Sequence, residues 1–123
     1  MSMNRLSNIK NPYQGKAKKV LCVCSAGLLR SPTTAWVLSN APFNFNTRSA
    51  GINDEYALIC VDEVLVEWAD EIICMSGSQR SVLQEAFPKK KITSFDIPDN
   101  FGYRDPALVK IITEKSLLHF KEI

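Results

Sequence analysis

A chain of 123 residues, 46% hydrophobic and 23% charged, has the composition of one globular domain able to bury a core without disulfide or metal staples. Its formal net charge of +2 is too small to argue for a nucleic-acid partner, and no apolar run is long enough for a membrane span or a secretory leader. The four cysteines, Cys22, Cys24, Cys60 and Cys74, show neither zinc-site spacing nor the pairing of a small secreted scaffold, so a reducing, cytoplasmic setting is expected.

Residues 1–18 are polar and basic, broken by Asn11-Pro12 and Gly15, and read as an extension ahead of the domain. Lys19 to Cys24 is an apolar first strand. A short loop then leads to Arg30, after which Ser31 suits a helix N-cap with Pro32 at the first helical position. That helix runs through Ala35, Trp36 and Leu38 and stops at Asn40-Ala41-Pro42. Phe45 to Ala50 is a short second strand closed by Gly51. Val61, Val64, Leu65 and Trp68 recur at i, i+3, i+4 and i+7, which predicts a helix with that face buried. Glu71 to Met75 is a third strand, and Val82, Leu83, Ala86 and Phe87 form the stripe of a helix ended by Pro88. Ile92 to Ile97 is a fourth strand, and Asp105-Pro106 opens a last helix carrying Leu108, Ile111, Ile112 and Leu118. Strands alternating with helices across short connections predict an α/β fold: a single domain with a four-stranded parallel sheet and helices on both faces. Ligands of such folds bind outside the carboxyl ends of the strands. Cys24 ends the first strand, and Asp96 to Asp99 end the fourth.

The segment from Cys24 to Ser31 is suited to hold a phosphate dianion above a nucleophile. The backbone N–H groups of Ser25, Ala26, Gly27, Leu28, Leu29, Arg30 and Ser31 can point at one centre, where a helix N-terminus also favours negative charge. Arg30 would close that cradle with a planar fork matched to two phosphate oxygens. A sulfur in such a field is favoured as the thiolate, its nucleophilic form. The plainer alternatives are a core cysteine, as Cys22 and Cys74 read, and a solvated surface arginine; the strand-end position and the spacing argue against both. Three carboxylates near the fourth strand could act as an acid: Asp96, Asp99 and Asp105, the last of which also suits a helix cap before Pro106. Tyr56 is a weaker rim candidate, and His119 reads as a solvated helix residue. Lys89-Lys90-Lys91 reads as a solvated turn, with a lesser role in steering anions.

The cysteine loop running into Arg30-Ser31-Pro32-Thr33 is followed by Arg48-Ser49-Ala50-Gly51, by Trp68-Ala69-Asp70 leading into Ile72-Ile73-Cys74-Met75, and by Ile97-Pro98-Asp99. In that order these motifs resemble the low-molecular-weight protein tyrosine phosphatase family, and its short bacterial branch most, from about Lys19 onward. The resemblance implies a phosphatase domain over residues 19–123 that needs no metal and no other cofactor. It implies hydrolysis of phosphotyrosine in proteins, or of small aryl phosphates, through a phosphocysteine on Cys24, with neither nucleic acid nor membrane as partner. It favours Asp99 over Asp105 as the general acid, with Cys24, Arg30 and Asp99 as the catalytic set. The phosphate cradle would be residues 25–31, with the Ser31 hydroxyl hydrogen-bonded to the nucleophile. Phe101 would form one wall of the phenyl slot and Leu28 part of the rim.

Several positions depart from the family pattern. Ala26-Gly27 stands where many members have Gly-Asn, and Gly27 can still adopt the left-handed backbone asparagine would supply. Leu29 stands where self-protecting members carry a second cysteine, Ser76 replaces an acidic residue after the methionine, and the region after Gly51 is short. Two other readings compete. An arsenate-reductase-like enzyme would need relay cysteines, but Ser81 stands seven residues after Cys74. A phosphotyrosine- or oxyanion-binding module without turnover would not need Cys24, Arg30 and Asp99 together. A nucleotide-binding loop is excluded, because Gly27 to Ser31 lacks its second glycine and its lysine.

Overall fold

The strand Lys19–Cys24 (β1) is buried on both faces, which is why its sequence is almost continuously apolar. Val20, Cys22 and Cys24 face one core while Leu21 and Val23 face the other, the period of two of a pleated strand. In this computed structural model, which describes residues 17–24, 30–52, 61–98 and 100–120, β1 is a central strand. β2 (Asn46–Gly51) pairs with one side of it, from Lys19 opposite Asn46 to Cys24 opposite Gly51. β3 (Glu71–Cys74) pairs with the other side, and β4 (Ile92–Ser94) lies outside β3. All pairs are parallel, in the order β2-β1-β3-β4. The expected four-stranded parallel sheet is therefore observed.

Helices α1 (Arg30–Ser39) and α4 (Pro106–His119) cover one face of the sheet. Val37, Leu38, Leu108 and Ile112 meet Cys24, Ile73, Met75 and Ile97 there, with Phe45 edge-on to Phe120 at 4.9 Å. Helices α2 (Glu63–Trp68) and α3 (Gly77–Ala86) cover the other face through Leu65, Val66 and Leu83. Sequential connections leave the neighbouring strands β1 and β3 in opposite directions, so their carboxyl ends flank the crevice typical of such sheets.

The elements match the sequence reading in type and differ at their ends. α1 begins at Arg30, so Ser31 is inside the first turn and does not cap it. α2 begins at Glu63 because the Asp62 carboxylate accepts the Leu65 N–H at 3.0 Å. Val61 therefore stays in the connection, its N–H on the Gly51 carbonyl, and Leu65, Val66 and Ala69 are buried while Val64 is 51% exposed. In α3 the buried stripe is Gln79 and Leu83 with Phe87 behind them, whereas Val82 is 54% exposed and Ala86 also faces water. Gln79 takes an apolar position because its Oε1 accepts the Met75 N–H at 2.8 Å. The β4 ladder ends at Ser94, since Asp96 adopts a left-handed backbone (φ 53°). Phe95 and Ile97 nevertheless keep sheet-like bonds to the Cys74 and Met75 carbonyls. Leu118, expected in the α4 stripe, is 68% exposed, while Leu108, Ile112 and Ser116 make the buried row at i, i+4 and i+8.

Glu71 opens β3 at the amino edge of the sheet and is fully buried. Lys18 Nζ lies 2.7 Å and Lys91 Nζ 3.6 Å from its Oε1; Thr93 Oγ1 donates to its Oε2, and His119 Nε2 bonds the same oxygen. His119 is thus half-buried against a carboxylate instead of solvated. Burial pushes the Glu71 carboxyl upward, but the hydrogen bonds and charges of Lys18 and His119 outweigh it and hold the group below its ordinary range. A carboxyl depressed in the fold contributes stability above its unfolded pKa of about 4.3, and the contribution is lost as pH falls through the lower folded value. Glu71→Gln is expected to lower unfolding free energy by about 1–3 kcal/mol at pH 7. Urea titrations should show the gap to wild type closing below roughly pH 4; a gap independent of pH would assign the loss to packing alone.

Candidate active site

Cys24 ends β1 with only 4% of its surface exposed, and α1 begins at Arg30 beside it. Its Sγ lies 3.2 Å from Ser31 Oγ, which also reaches the Ala50 carbonyl at 3.4 Å. One hydroxyl can therefore serve both forms of the sulfur. Beside a thiol it accepts the S–H and donates to Ala50; beside a thiolate it turns its proton to the sulfur. The displacement of Ser31 from the cap position into the helix is what gives it this role.

Arg30 is 6% exposed, and its Nη1 donates to the Ile97 carbonyl at 2.8 Å. It is not a solvated surface arginine. The carbonyl it grips belongs to the segment leaving β4, whose Ile97 N–H is held by Met75. Thr34 Oγ1 donates back to the Arg30 carbonyl at 2.8 Å, and Thr33 Oγ1 accepts the Arg104 N–H at 3.0 Å. Both threonines are fully buried. Sequence reasoning passed over Thr33, Thr34 and Gln79; the available signal was a run of polar residues at positions that should face a core.

Several predicted residues fall outside the described residues: Ser25, Ala26, Gly27, Leu28 and Leu29 of the cradle, Asp99, Tyr56 and Cys60. The other two acid candidates are placed. Asp105 Oδ1 accepts the Ala107 N–H at 2.8 Å and caps α4. Asp96 is exposed, with Oδ1 on the Ser94 hydroxyl at 2.7 Å. Phe101 is half-buried against the core cluster that contains Cys24, Met75 and Ile97, so part of its ring is committed to packing.

The other thiols have a different environment. Cys22, buried in the same core, has its thiol pushed far up by burial and further by Cys24 and Glu71. Burial also pushes the Cys74 thiol up, against partial relief from hydrogen bonding near Ser76 and Ser94. Both shifts disfavour the thiolate, the nucleophilic form. Arg48 stacks over Trp68 at 5.1 Å, and desolvation lowers its pKa, so it anchors β2 to α2. The lysine run lies at the amino edge of the sheet, away from Cys24. Lys90 Nζ donates to the Ala69 carbonyl at 2.6 Å, and Lys91 faces Glu71. A cavity of about 610 Å³ lies there among Val66, Asp70, Phe87, Pro88 and these lysines, and no cysteine is among its lining residues.

No protein-family profile and no curated protein matches the chain. Solved structures do. Wzb from Vibrio vulnificus, in complex with benzylphosphonate, is 22% identical with a TM-score of 0.69, over 86% of this chain and 99% of that one. The tyrosine phosphatase AmsI from Erwinia amylovora is 18% identical with a TM-score of 0.66, over 84% and 91%. The YwlE arginine phosphatase from Geobacillus stearothermophilus is 21% identical with a TM-score of 0.62, over 82% and 87%. The chain shares the fold of these solved structures over more than four-fifths of its length.

Arg30→Lys keeps the charge but loses the fork and the bond to Ile97. It is expected to weaken binding of inorganic phosphate by roughly tenfold or more in calorimetric titration. Unchanged affinity would make Arg30 a structural bridge only.

Proposed function

We propose that this chain is a phosphomonoester hydrolase of the low-molecular-weight protein tyrosine phosphatase type, acting on phosphotyrosine through a phosphocysteine intermediate. The observation that carries the reading is the strand-end Cys24 with its Sγ 3.2 Å from Ser31 Oγ, next to a buried Arg30 on the same helical turn. Nucleophile, hydroxyl and guanidinium are thereby assembled at the carboxyl edge of a parallel sheet, where this architecture binds ligands.

The proposed steps follow from those groups. The N–H groups of residues 25–31 and the Arg30 fork hold the phosphate oxygens, and most tightly when charge spreads over the equatorial ones in the transition state. The Cys24 thiolate attacks phosphorus in line, and the P–O bond to the phenol breaks. Asp99 gives its proton to the departing phenolate oxygen. Asp99, now a carboxylate, takes a proton from water as that water attacks the phosphocysteine. The P–S bond breaks, inorganic phosphate forms, and the electron pair returns to Cys24, whose thiolate accepts the Ser31 proton as a hydrogen bond. Phe101 offers its free ring surface to the phenyl group. Every group in the sequence is a protein side chain or water, so no metal is required. In this reading residues 19–123 are the phosphatase domain behind an extension over 1–18. The substrate is a phosphotyrosine-containing protein or a small aryl phosphate, met in the cytoplasm.

The same attack on phosphorus can expel a protonated guanidine, and one structure with this fold is an arginine phosphatase. Steady-state assays on phosphotyrosine, phosphoserine and phosphoarginine peptides, with chelator present, therefore test the substrate class. Hydrolysis of the phosphotyrosine peptide alone is expected, and Cys24→Ser should abolish it while phosphate still binds. Preference for the phosphoarginine peptide would move the assignment to the P–N class, and wild-type turnover in Cys24→Ser would end the mechanism.

Asp99→Asn should slow phosphotyrosine hydrolysis by on the order of a hundredfold, and much less on an aryl phosphate whose phenol leaves without a proton. Asp105→Asn should remain near wild type, because asparagine caps helices as well as aspartate. The opposite pattern would transfer the acid role to Asp105.

A further inference from the structure

Between Ile97 and Asp105 the chain leaves the sheet, and both ends of this segment are fastened to α1. At the near end Arg30 Nη1 donates to the Ile97 carbonyl. At the far end the Arg104 N–H donates to Thr33 Oγ1 at 3.0 Å. The Arg104 guanidinium lies 4.3 Å from the centre of the Trp36 ring and 5.0 Å from that of Tyr103. Arg30, Thr33 and Trp36 follow one another at i+3 along α1, so a single ridge of the helix supplies all these fastenings. Among the described residues no carboxylate pairs with Arg104; its charge is engaged by ring faces. Arg104 also holds φ at 55°, a left-handed backbone that glycine adopts more readily than arginine.

We infer that Arg104 is a positioning residue, whose clasp on Trp36, Tyr103 and Thr33 fixes the loop carrying Phe101 and Asp99 relative to Cys24. The inference rests on the phosphatase reading above for the role of that loop. α1 is the helix whose first turn holds Arg30 and the Ser31 partner of Cys24. Fastening the loop to the same helix makes the nucleophile and the acid-bearing segment parts of one frame. A loop tied at both ends samples fewer positions than one tied at a single end, and proton transfer depends steeply on distance. The backbone at position 104 favours glycine, which would also supply the N–H to Thr33, but glycine has no cation to lay across the Trp36 and Tyr103 rings. The side chain therefore gives the residue its use.

Arg104→Gly removes the guanidinium from the Trp36 and Tyr103 rings and relieves the left-handed backbone, while its backbone N–H can still meet Thr33; Arg104→Lys keeps the charge without the planar fork. In Arg104→Gly, kcat on a phosphotyrosine peptide should fall roughly tenfold, while kcat on an aryl phosphate with a strongly acidic phenol changes less than about twofold, KM for both staying near wild type. Arg104→Lys should recover part of the loss. Amide hydrogen exchange on the full chain gives a readout independent of turnover: residues 101–105 should lose protection in Arg104→Gly while β1 and β3 keep theirs. Equal losses on both substrates, or unchanged exchange at 101–105, would overturn the inference. A wild-type protein inactive on both substrates would reject the phosphatase reading instead, and the exchange result would then decide the clasp alone.

Discussion

The first turn of α1 places polar side chains in the protein interior, and each must find a partner there, because a buried polar group without one costs on the order of 1–3 kcal/mol. Arg30, Ser31, Thr33 and Thr34 are all buried. Their partners come from every neighbouring element: Cys24 at the end of β1, the Ala50 carbonyl of β2, Met75 after β3, and Ile97 and Arg104 in the segment beyond β4. One helical turn thereby ties together the carboxyl ends of the whole sheet. In the proposed phosphatase reading, satisfying those four residues and building an anion site with a thiol at its floor are the same structural problem. That is why the polar residues sit where a stability argument alone would have placed leucine or valine.

The two edges of the sheet divide the work. At the carboxyl edge the buried polar groups grip backbone carbonyls and the sulfurs of Cys24 and Met75. At the amino edge a buried carboxylate, Glu71, gathers Lys18, Lys91, Thr93 and His119. Lys18 lies just ahead of β1, and His119 ends α4, so the carboxylate joins the beginning of the sheet to the last helix. Lys18 also lies over the Phe120 ring at 5.1 Å, adding an aromatic contact to the same junction.

Shared folds do not decide chemistry, since superfolds host many reactions and the site must be argued from its own groups. Here the solved structures of like fold include enzymes described as acting on tyrosine and on arginine. Both reactions need a nucleophile below phosphorus and donors around its oxygens. They differ in the leaving group, a phenol in one case and a guanidine in the other.

Much of this was legible in the sequence. Alternating strand and helix patterns were enough for the parallel sheet, because β1 and β3 are buried on both faces and are apolar throughout after Lys19 and Glu71. The Cys24–Arg30 spacing singled out the candidate site, because a strand, a tight loop and a helix start are local features. What periodicity missed were helix faces: in α2 and α3 a cap set the starting residue, and the start set which side met the sheet, leaving Val64 and Val82 outside. Beyond local reach altogether were the long-range partners: Glu71 with His119, 48 positions away; Arg30 with Ile97, 67 away; and Thr33 with Arg104, 71 away. Nothing in the local pattern of either partner announces such a bond. The sequence by itself determined which elements form and which strand end is the candidate site. Tertiary structure alone decided which distant groups hold that place together, because hydrogen-bond partners are chosen by proximity in space after the sheet has closed.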